Sequence, residues 1–115
     1  MPKGMRIVNL EQGMPQVSTA LRWLDGELYT SRRMGVAAVK LIHGYGSSGT
    51  GGKIRTAVRR ELAVRRARGE LADVICGEEF SIFHEGTRRA FLRCDALQQD
   101  SDLERHNNGV TFVIL

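Results

Sequence analysis

Apolar positions along the chain fall into short continuous runs that alternate with longer stretches of helical period. The continuous runs lie at residues 5–10 (MRIVNL), 36–43 (VAAVKLIH), 71–76 (LADVIC) and 110–115 (VTFVIL), and they predict four strands. The second and fourth runs are apolar at nearly every position, which indicates strands that are buried on both faces of a sheet.

Three stretches of helical period separate the strands. The first follows Gly13, places Pro15 in its first turn and continues to about Met34, with Trp23 at the flank of its buried stripe. That stripe consists of Val17, Ala20, Leu21, Leu24 and Leu28. A second helix is predicted to begin near Lys53, with the buried stripe Ile54, Ala57, Val58 and Leu62. The third stretch spans residues 83–97, from Phe83 to Leu97, and a polar, acidic connection follows it over residues 98–108.

The order of these elements predicts the fold class. Strands that alternate with helices form β-α-β crossovers, and these crossovers build parallel sheets. The pattern β-α-β-α-β-(α)-β therefore predicts one small α/β domain over residues 1–115, with a mixed, mostly parallel sheet. The last strand is expected to join the sheet antiparallel. A chain of 115 residues has the size of one ordinary domain.

The sequence contains no apolar run near the ~20 residues that a membrane-spanning helix needs. The N-terminus shows no secretory signal, and Cys76 and Cys94 are isolated thiols that fit a reducing compartment. We therefore expect a cytoplasmic protein without a membrane partner.

The charge is distributed unevenly along the chain. Residues 53–68 contain seven basic residues and one acid, which gives +6, whereas residues 70–115 contain four basic and nine acidic residues, which gives −5. A basic block of this kind attracts polyanions, although a solvated helix face has the same composition. On the predicted helix, Arg55, Arg59 and Arg66 share one exposed edge, with Lys53 and Arg60 on the other.

A glycine-rich loop at residues 44–52 (GYGSSGTGG) connects the second strand to this basic helix. Glycines let the backbone approach a ligand closely, and free N–H groups at a helix start bind anions. A flexible turn is the alternative interpretation, but so many glycines between two apolar elements cost conformational entropy, and this favours the approach of a ligand. The dinucleotide-binding pattern is matched only by its glycines, and Gly52 stands where a nucleotide triphosphatase loop needs Lys. Because both motifs match only in part, a small-molecule phosphate or nucleotide binder is an alternative and not the leading hypothesis.

The motif His43-Gly44-Tyr45-Gly46, after an apolar strand and before a helix that begins KIRTAVR at Lys53, resembles the Smr (small MutS-related) domain. The first helix and the closing strand from Gly109 lie where that family has them, so the resemblance covers most of residues 5–115. The stretch 77–108 is longer than in a minimal Smr domain. The resemblance implies a fold similar to the C-terminal domain of bacterial translation initiation factor three.

The resemblance also implies binding of RNA, the ribosome or branched DNA, and in some members nucleic-acid cleavage. The first-strand motif departs from the family, because Asn9 stands in place of an acid and no His follows it. Asn cannot act as a carboxylate base, so we predict weak or absent endonuclease activity. If cleavage occurs, His43 and Glu11 are the candidate catalytic residues and Mg²⁺ is a possible cofactor; otherwise no cofactor is expected.

The leading hypothesis is a nucleic-acid-binding domain of Smr type. Its binding residues are predicted in the glycine loop and on the first turns of the basic helix: Gly44, Tyr45, Gly46, Ser47, Ser48, Thr50, Lys53, Arg55, Arg59 and Arg60. For His43 a structural role, as a hydrogen-bonded residue at a strand end, is the alternative. No spacing of His and Cys indicates a metal site.

Overall fold

The computed structural model describes residues 4–45 and 50–115, and residues 50 and 51 are described by their backbone alone. The elements follow in the order β1 (Met5–Asn9), α1 (Val17–Met34), β2 (Ala38–Ile42), α2 (Thr50–Ala67), β3 (Asp73–Cys76), α3 (Glu85–Arg93) and β4 (Val110–Ile114). Two short 3-10 turns, Gly77–Glu79 and Asp95–Gln99, flank α3. The predicted α/β class is confirmed. None of the helices in the described ranges has the length and apolar character to cross a bilayer.

The four strands form one mixed sheet in the order β1-β2-β4-β3. β1 pairs with β2 in parallel, whereas β4 runs antiparallel to both of its neighbours. The expectation that the last strand joins antiparallel is confirmed, and β1, β2 and β3 point the same way. Since β4 lies between β2 and β3, only one of the three strand pairings is parallel. The sheet is mixed, as predicted, but has fewer parallel pairings than the mostly parallel sheet that we expected.

Each face of the sheet is covered by a different part of the chain. α1 and α2 pack side by side on one face, where Leu24, Leu28, Val58 and Leu62 meet alternate residues of the strands. The segment after β3 covers the other face. Its buried residues there are Phe80, Ala90, Cys94 and Leu97, packed against Ala38, Ile75, Val110, Phe112 and Ile114 of the sheet. The segment after β3 therefore supplies the second half of the core.

The first two helices differ from their predicted bounds. α1 begins at Val17 with Gln16 as its N-cap, so that Pro15 precedes the helix rather than occupying its first turn. α2 begins at Thr50, earlier than predicted, and includes Gly51 and Gly52. Each helical glycine costs about 1 kcal/mol, a cost that packing of the buried α2 stripe can offset. Ala57 of that stripe is only half-buried.

The third helix is shorter than its predicted span. His84 Nδ1 accepts a hydrogen bond from the Thr87 N–H at 3.2 Å, so α3 starts immediately after His84. Phe83, predicted to lie within this helical stretch, lies outside the helix and is 83% exposed. The C-terminal part of the predicted helix instead forms the Asp95–Gln99 turn.

Lys40 is a buried cation at the centre of β2, with 6% of its surface exposed. Its ammonium contacts Asp100 at 3.0 Å and Asp102 at 2.6 Å. Burial alone would lower the pKa of Lys40, but hydrogen bonds and charges from these carboxylates raise it above its usual value. The acidic connection thus folds back over the sheet and neutralises the charge that the strand carries inside.

We predict that Lys40→Met lowers the free energy of unfolding by about 3 kcal/mol, because it leaves two carboxylates near the core without a counterion. Urea unfolding of the variant measures this loss. Lys53→Met, the same change at an exposed lysine, is the control and should shift stability by less than about 0.5 kcal/mol. Equal effects at both positions would contradict a role for the buried charge cluster.

Candidate functional site

The carboxyl end of β2 turns sharply at His43 and Gly44. Both of their N–H groups donate to the Gly109 carbonyl at 3.0 Å, which ties this turn to the chain just before β4. Gly44 has a φ of +79°, and a β-carbon at this position would overlap the Glu11 carboxylate. The positive φ favours glycine here, whereas the exposed Glu11 side chain could rotate away from a β-carbon.

His43 is fully buried, and both of its ring nitrogens have partners. Its Nδ1 lies 2.7 Å from the Gly44 carbonyl, which can only accept, so Nδ1 carries the proton. Nε2 then accepts from the Thr111 hydroxyl, also at 2.7 Å. Arg59 Nε donates to the same hydroxyl at 3.0 Å. A continuous chain of hydrogen bonds therefore runs from α2 through β4 to the start of the glycine loop.

The surroundings of His43 favour its neutral form. Burial is the main cause, and the positive charges of Arg59 and Arg55 add to it, so that the pKa of His43 falls to about 4. Both ring nitrogens are hydrogen-bonded within the fold. This geometry fits the alternative role for His43, that of a hydrogen-bonded structural residue at a strand end. Proton transfer to a ligand would require breaking this arrangement.

The turn after β1 lies beside His43 and Gly44. Asn9 Oδ1 accepts a hydrogen bond from the Glu11 N–H at 2.9 Å, which closes an Asx turn. Glu11 is exposed and lies against Gly44. The structure thus places the two candidate catalytic residues on adjacent turns, after β1 and after β2, but Glu11 faces solvent while His43 is enclosed.

Part of the predicted binding set lies outside the described residues: Gly46, Ser47, Ser48 and the side chain of Thr50. Tyr45 is described, and 57% of its surface is exposed. Its ring lies close to Gly109, at the same end of the sheet as Gly44. In the described ranges, no group of three or more His, Cys, Asp or Glu residues is arranged to hold a metal ion.

Four of the seven basic residues in the block 53–68 are paired with acids. The ion pairs are Arg59 with Glu78, Arg65 with Asp25 and Glu61, Arg66 with Asp73, and Arg68 with Glu70. The prediction that Arg59 lies on an exposed edge is wrong, since its side chain is 20% exposed and directed at the sheet. It lies on the side of α2 that faces β4, where hydrogen bonds to the strand are available.

The remaining three cations lie within the first three turns of α2. Within the part of the chain that the structure describes, Lys53, Arg55 and Arg60 form no ion pair. Lys53 and Arg60 are exposed, and Arg55 is half-buried. A surface depression of about 470 Å³ lies on the outer side of the helix, lined by Gly52, Lys53, Thr56, Ala57 and Arg60. Uncompensated positive charge is therefore concentrated next to the glycine loop.

Sequence reasoning missed two residues of this site, Thr111 and Glu78. Thr111 is the one hydroxyl in the apolar run 110–115, and a lone polar residue in a buried strand is a usable signal, because it needs a hydrogen-bond partner. Glu78 carried no such signal, since nothing near it in the sequence shows that it meets Arg59 of α2.

Comparisons of the chain with protein-family models, with curated proteins and with solved structures find no match. The resemblance to the Smr domain therefore rests on the residues quoted above.

We predict that Gly44→Ala and Gly13→Ala each lower the free energy of unfolding by about 1–2 kcal/mol, because each places alanine at a positive φ, +79° at Gly44 and +78° at Gly13. The overlap of a new β-carbon at residue 44 with Glu11 should add little, since the exposed Glu11 carboxylate can rotate away. Urea unfolding measures both losses. A loss at Gly44 that clearly exceeds the loss at Gly13, and that Glu11→Ala removes, would contradict this rotation.

A second prediction concerns the buried imidazole. In the unfolded chain His43 titrates near 6.5, whereas in the fold its pKa is about 4. As the pH falls through this window, protons bind the unfolded chain first. The contribution of His43 to the free energy of unfolding is therefore fully present above about pH 6.5 and is lost as the pH falls toward 4. We expect His43 to lower the free energy of unfolding by about 2 kcal/mol when the pH falls from roughly 7 to 5.

Nuclear magnetic resonance titration of the His43 ring measures the pKa directly, and urea unfolding at the two pH values measures the loss. A ring that titrates near 6.5 in the folded protein would contradict the enclosed, hydrogen-bonded geometry.

Proposed function

We propose that this chain is a nucleic-acid-binding domain of Smr type, with RNA or branched DNA as its ligand. The observation that carries the proposal is the position of the unpaired cations Lys53, Arg55 and Arg60. They lie within the first three turns of α2, with Lys53 and Arg60 on one edge of the helix and Arg55 on the other. The other basic residues of the same block are neutralised by acids. The field at this end of the helix attracts anions.

The spacing of the cations favours a polymer over a single phosphate. Lys53 and Arg60 are seven positions apart, which is about 10 Å along a helix axis. Successive phosphates of a nucleic-acid strand give each cation along this stretch a phosphate of its own, whereas a single phosphate would have to draw the side chains together from both ends. The exposed ring of Tyr45 adds a surface on which an unpaired base could stack.

The proposal is for binding without cleavage. His43 is buried with both nitrogens bonded, and Asn9 uses its side-chain oxygen to close a turn. Neither residue is presented to a ligand as a general base. Glu11 is the exposed carboxylate beside them. The other candidate catalytic residue, His43, has no ring nitrogen free to exchange a proton with a ligand.

We predict that the triple variant Lys53→Ala, Arg55→Ala, Arg60→Ala weakens binding of a short labelled RNA at least about tenfold and flattens its salt dependence. Each lost phosphate contact lowers the salt slope by about 0.7–0.9. The matched control is Arg65→Ala, Arg66→Ala, Arg68→Ala, which removes the same charge from the same helix at positions that are already paired. Circular dichroism melts establish that both variants are folded.

Equal weakening in both variants would show that total charge, rather than the start of α2, governs binding. Incubation of the same RNA and of branched DNA with the wild type and Mg²⁺ tests for cleavage, and robust cutting would overturn the binding-only proposal. Tight binding of inorganic phosphate or a nucleotide, with little salt dependence, would favour the small-molecule alternative.

A further inference from the structure

Arg59 is the one basic residue at the start of α2 whose guanidinium is already occupied. Its two terminal nitrogens lie 2.9 and 2.8 Å from the two carboxylate oxygens of Glu78. Its Nε donates to Thr111, and Nη2 lies 3.2 Å from the Val110 carbonyl. This two-point pairing with Glu78 has the geometry with which Arg also binds a phosphate group.

Glu78 is held at Arg59 by its backbone. The preceding residue, Gly77, lies so close to Val110 and to the Asn107 carbonyl that a β-carbon would overlap them. His106 Nδ1 donates to the Glu78 carbonyl at 3.0 Å, which fixes the turn from the other side. The carboxylate itself remains 42% exposed, so the side chain can leave Arg59 while the turn stays in place.

Arg59 adjoins the unpaired cations. Arg55 precedes it by one helical turn on the same edge of α2, and the charges of Arg59 and Arg55 both act on Glu78. Burial raises the pKa of Glu78, but hydrogen bonding and these charges outweigh that effect and lower it below its usual value. Glu78 is therefore an internal anion at the boundary of the basic surface.

We propose that Glu78 is a specificity-determining residue of this surface, whose carboxylate occupies Arg59 until a polyanion takes its place. The inference rests on the proposed nucleic-acid binding. It assigns Arg59 a conditional role: a fourth phosphate contact that forms only when the unpaired cations, including Arg55 on the same edge of α2, already hold the strand.

The reason for this selectivity is effective concentration. The Glu78 carboxylate is tethered next to Arg59, so a free monoanion must compete with a local concentration of roughly millimolar or more. A strand bound at Arg55, one turn before Arg59, presents its next phosphate at a similarly high local concentration, so the exchange becomes balanced. During the exchange Arg59 can keep its Nε bond to Thr111, which leaves the His43 network intact.

Glu78→Gln tests the inference, because it retains the shape of the side chain and removes its charge. We expect the variant to bind a short labelled single-stranded RNA about three- to tenfold more tightly than wild type, with a salt slope steeper by about 0.7. Glu79→Gln is the matched control. It removes the same charge at the neighbouring position, where the carboxylate pairs with His84 rather than Arg59, and should change affinity less than about twofold.

The Arg59→Gln background completes the cycle, and the gain from Glu78→Gln should vanish there. Equal gains in Glu78→Gln and Glu79→Gln, or a gain that persists without Arg59, would overturn the inference alone. If the wild type, Glu78→Gln and Glu79→Gln all fail to bind the RNA, the proposed function is overturned as well.

A measurement on the wild-type protein covers the case in which a variant does not fold. The carboxyl carbon resonance of Glu78 should move during titration with the single-stranded RNA and stay in place with inorganic phosphate. A Glu78 resonance that is unchanged at saturating RNA would show that the carboxylate keeps Arg59, and would refute the exchange.

Discussion

The position of β4 between β2 and β3 is the constraint on which the rest of the structure depends. A strand in the centre of a sheet with both faces covered must be apolar on both, and every residue of β4 is buried. One side of β4 packs against α1 and α2, and the other against the segment after β3. The single hydroxyl of the strand, Thr111, must find partners inside, and it finds them in His43 and Arg59.

This network connects the core to the candidate site. His43 orients the Gly44 carbonyl, Thr111 bridges to α2, and Arg59 continues to Glu78 at the surface. Buried polar groups are costly unless they are all satisfied, so the network holds the start of the glycine loop in one conformation. A neutral His43 suits this positioning task, whereas a His that titrated near neutral pH would break the network on protonation.

The distribution of charge shows why a linear count is insufficient to find a binding surface. The basic block 53–68 has a balance of +6 in the sequence, but acids from the Gly77–Glu79 turn, α1 and β3 pair with Arg59, Arg65 and Arg66. The cations left unpaired lie within the first three turns of α2. The excess of acids in residues 70–115 is also used internally, since Asp100 and Asp102 compensate Lys40.

The sequence by itself determined the α/β class, the four strands, α1 and α2, because hydrophobic period reports on burial within each element. It also indicated a structural His43 as an alternative, and the glycine loop before a basic helix. Only the tertiary structure decided that β4 lies inside the sheet, that Lys40 meets Asp100, and that Glu78 meets Arg59. These contacts join residues that are 19 to 60 positions apart. Pairings over such distances depend on which surfaces pack together, and no local pattern of residues encodes that choice.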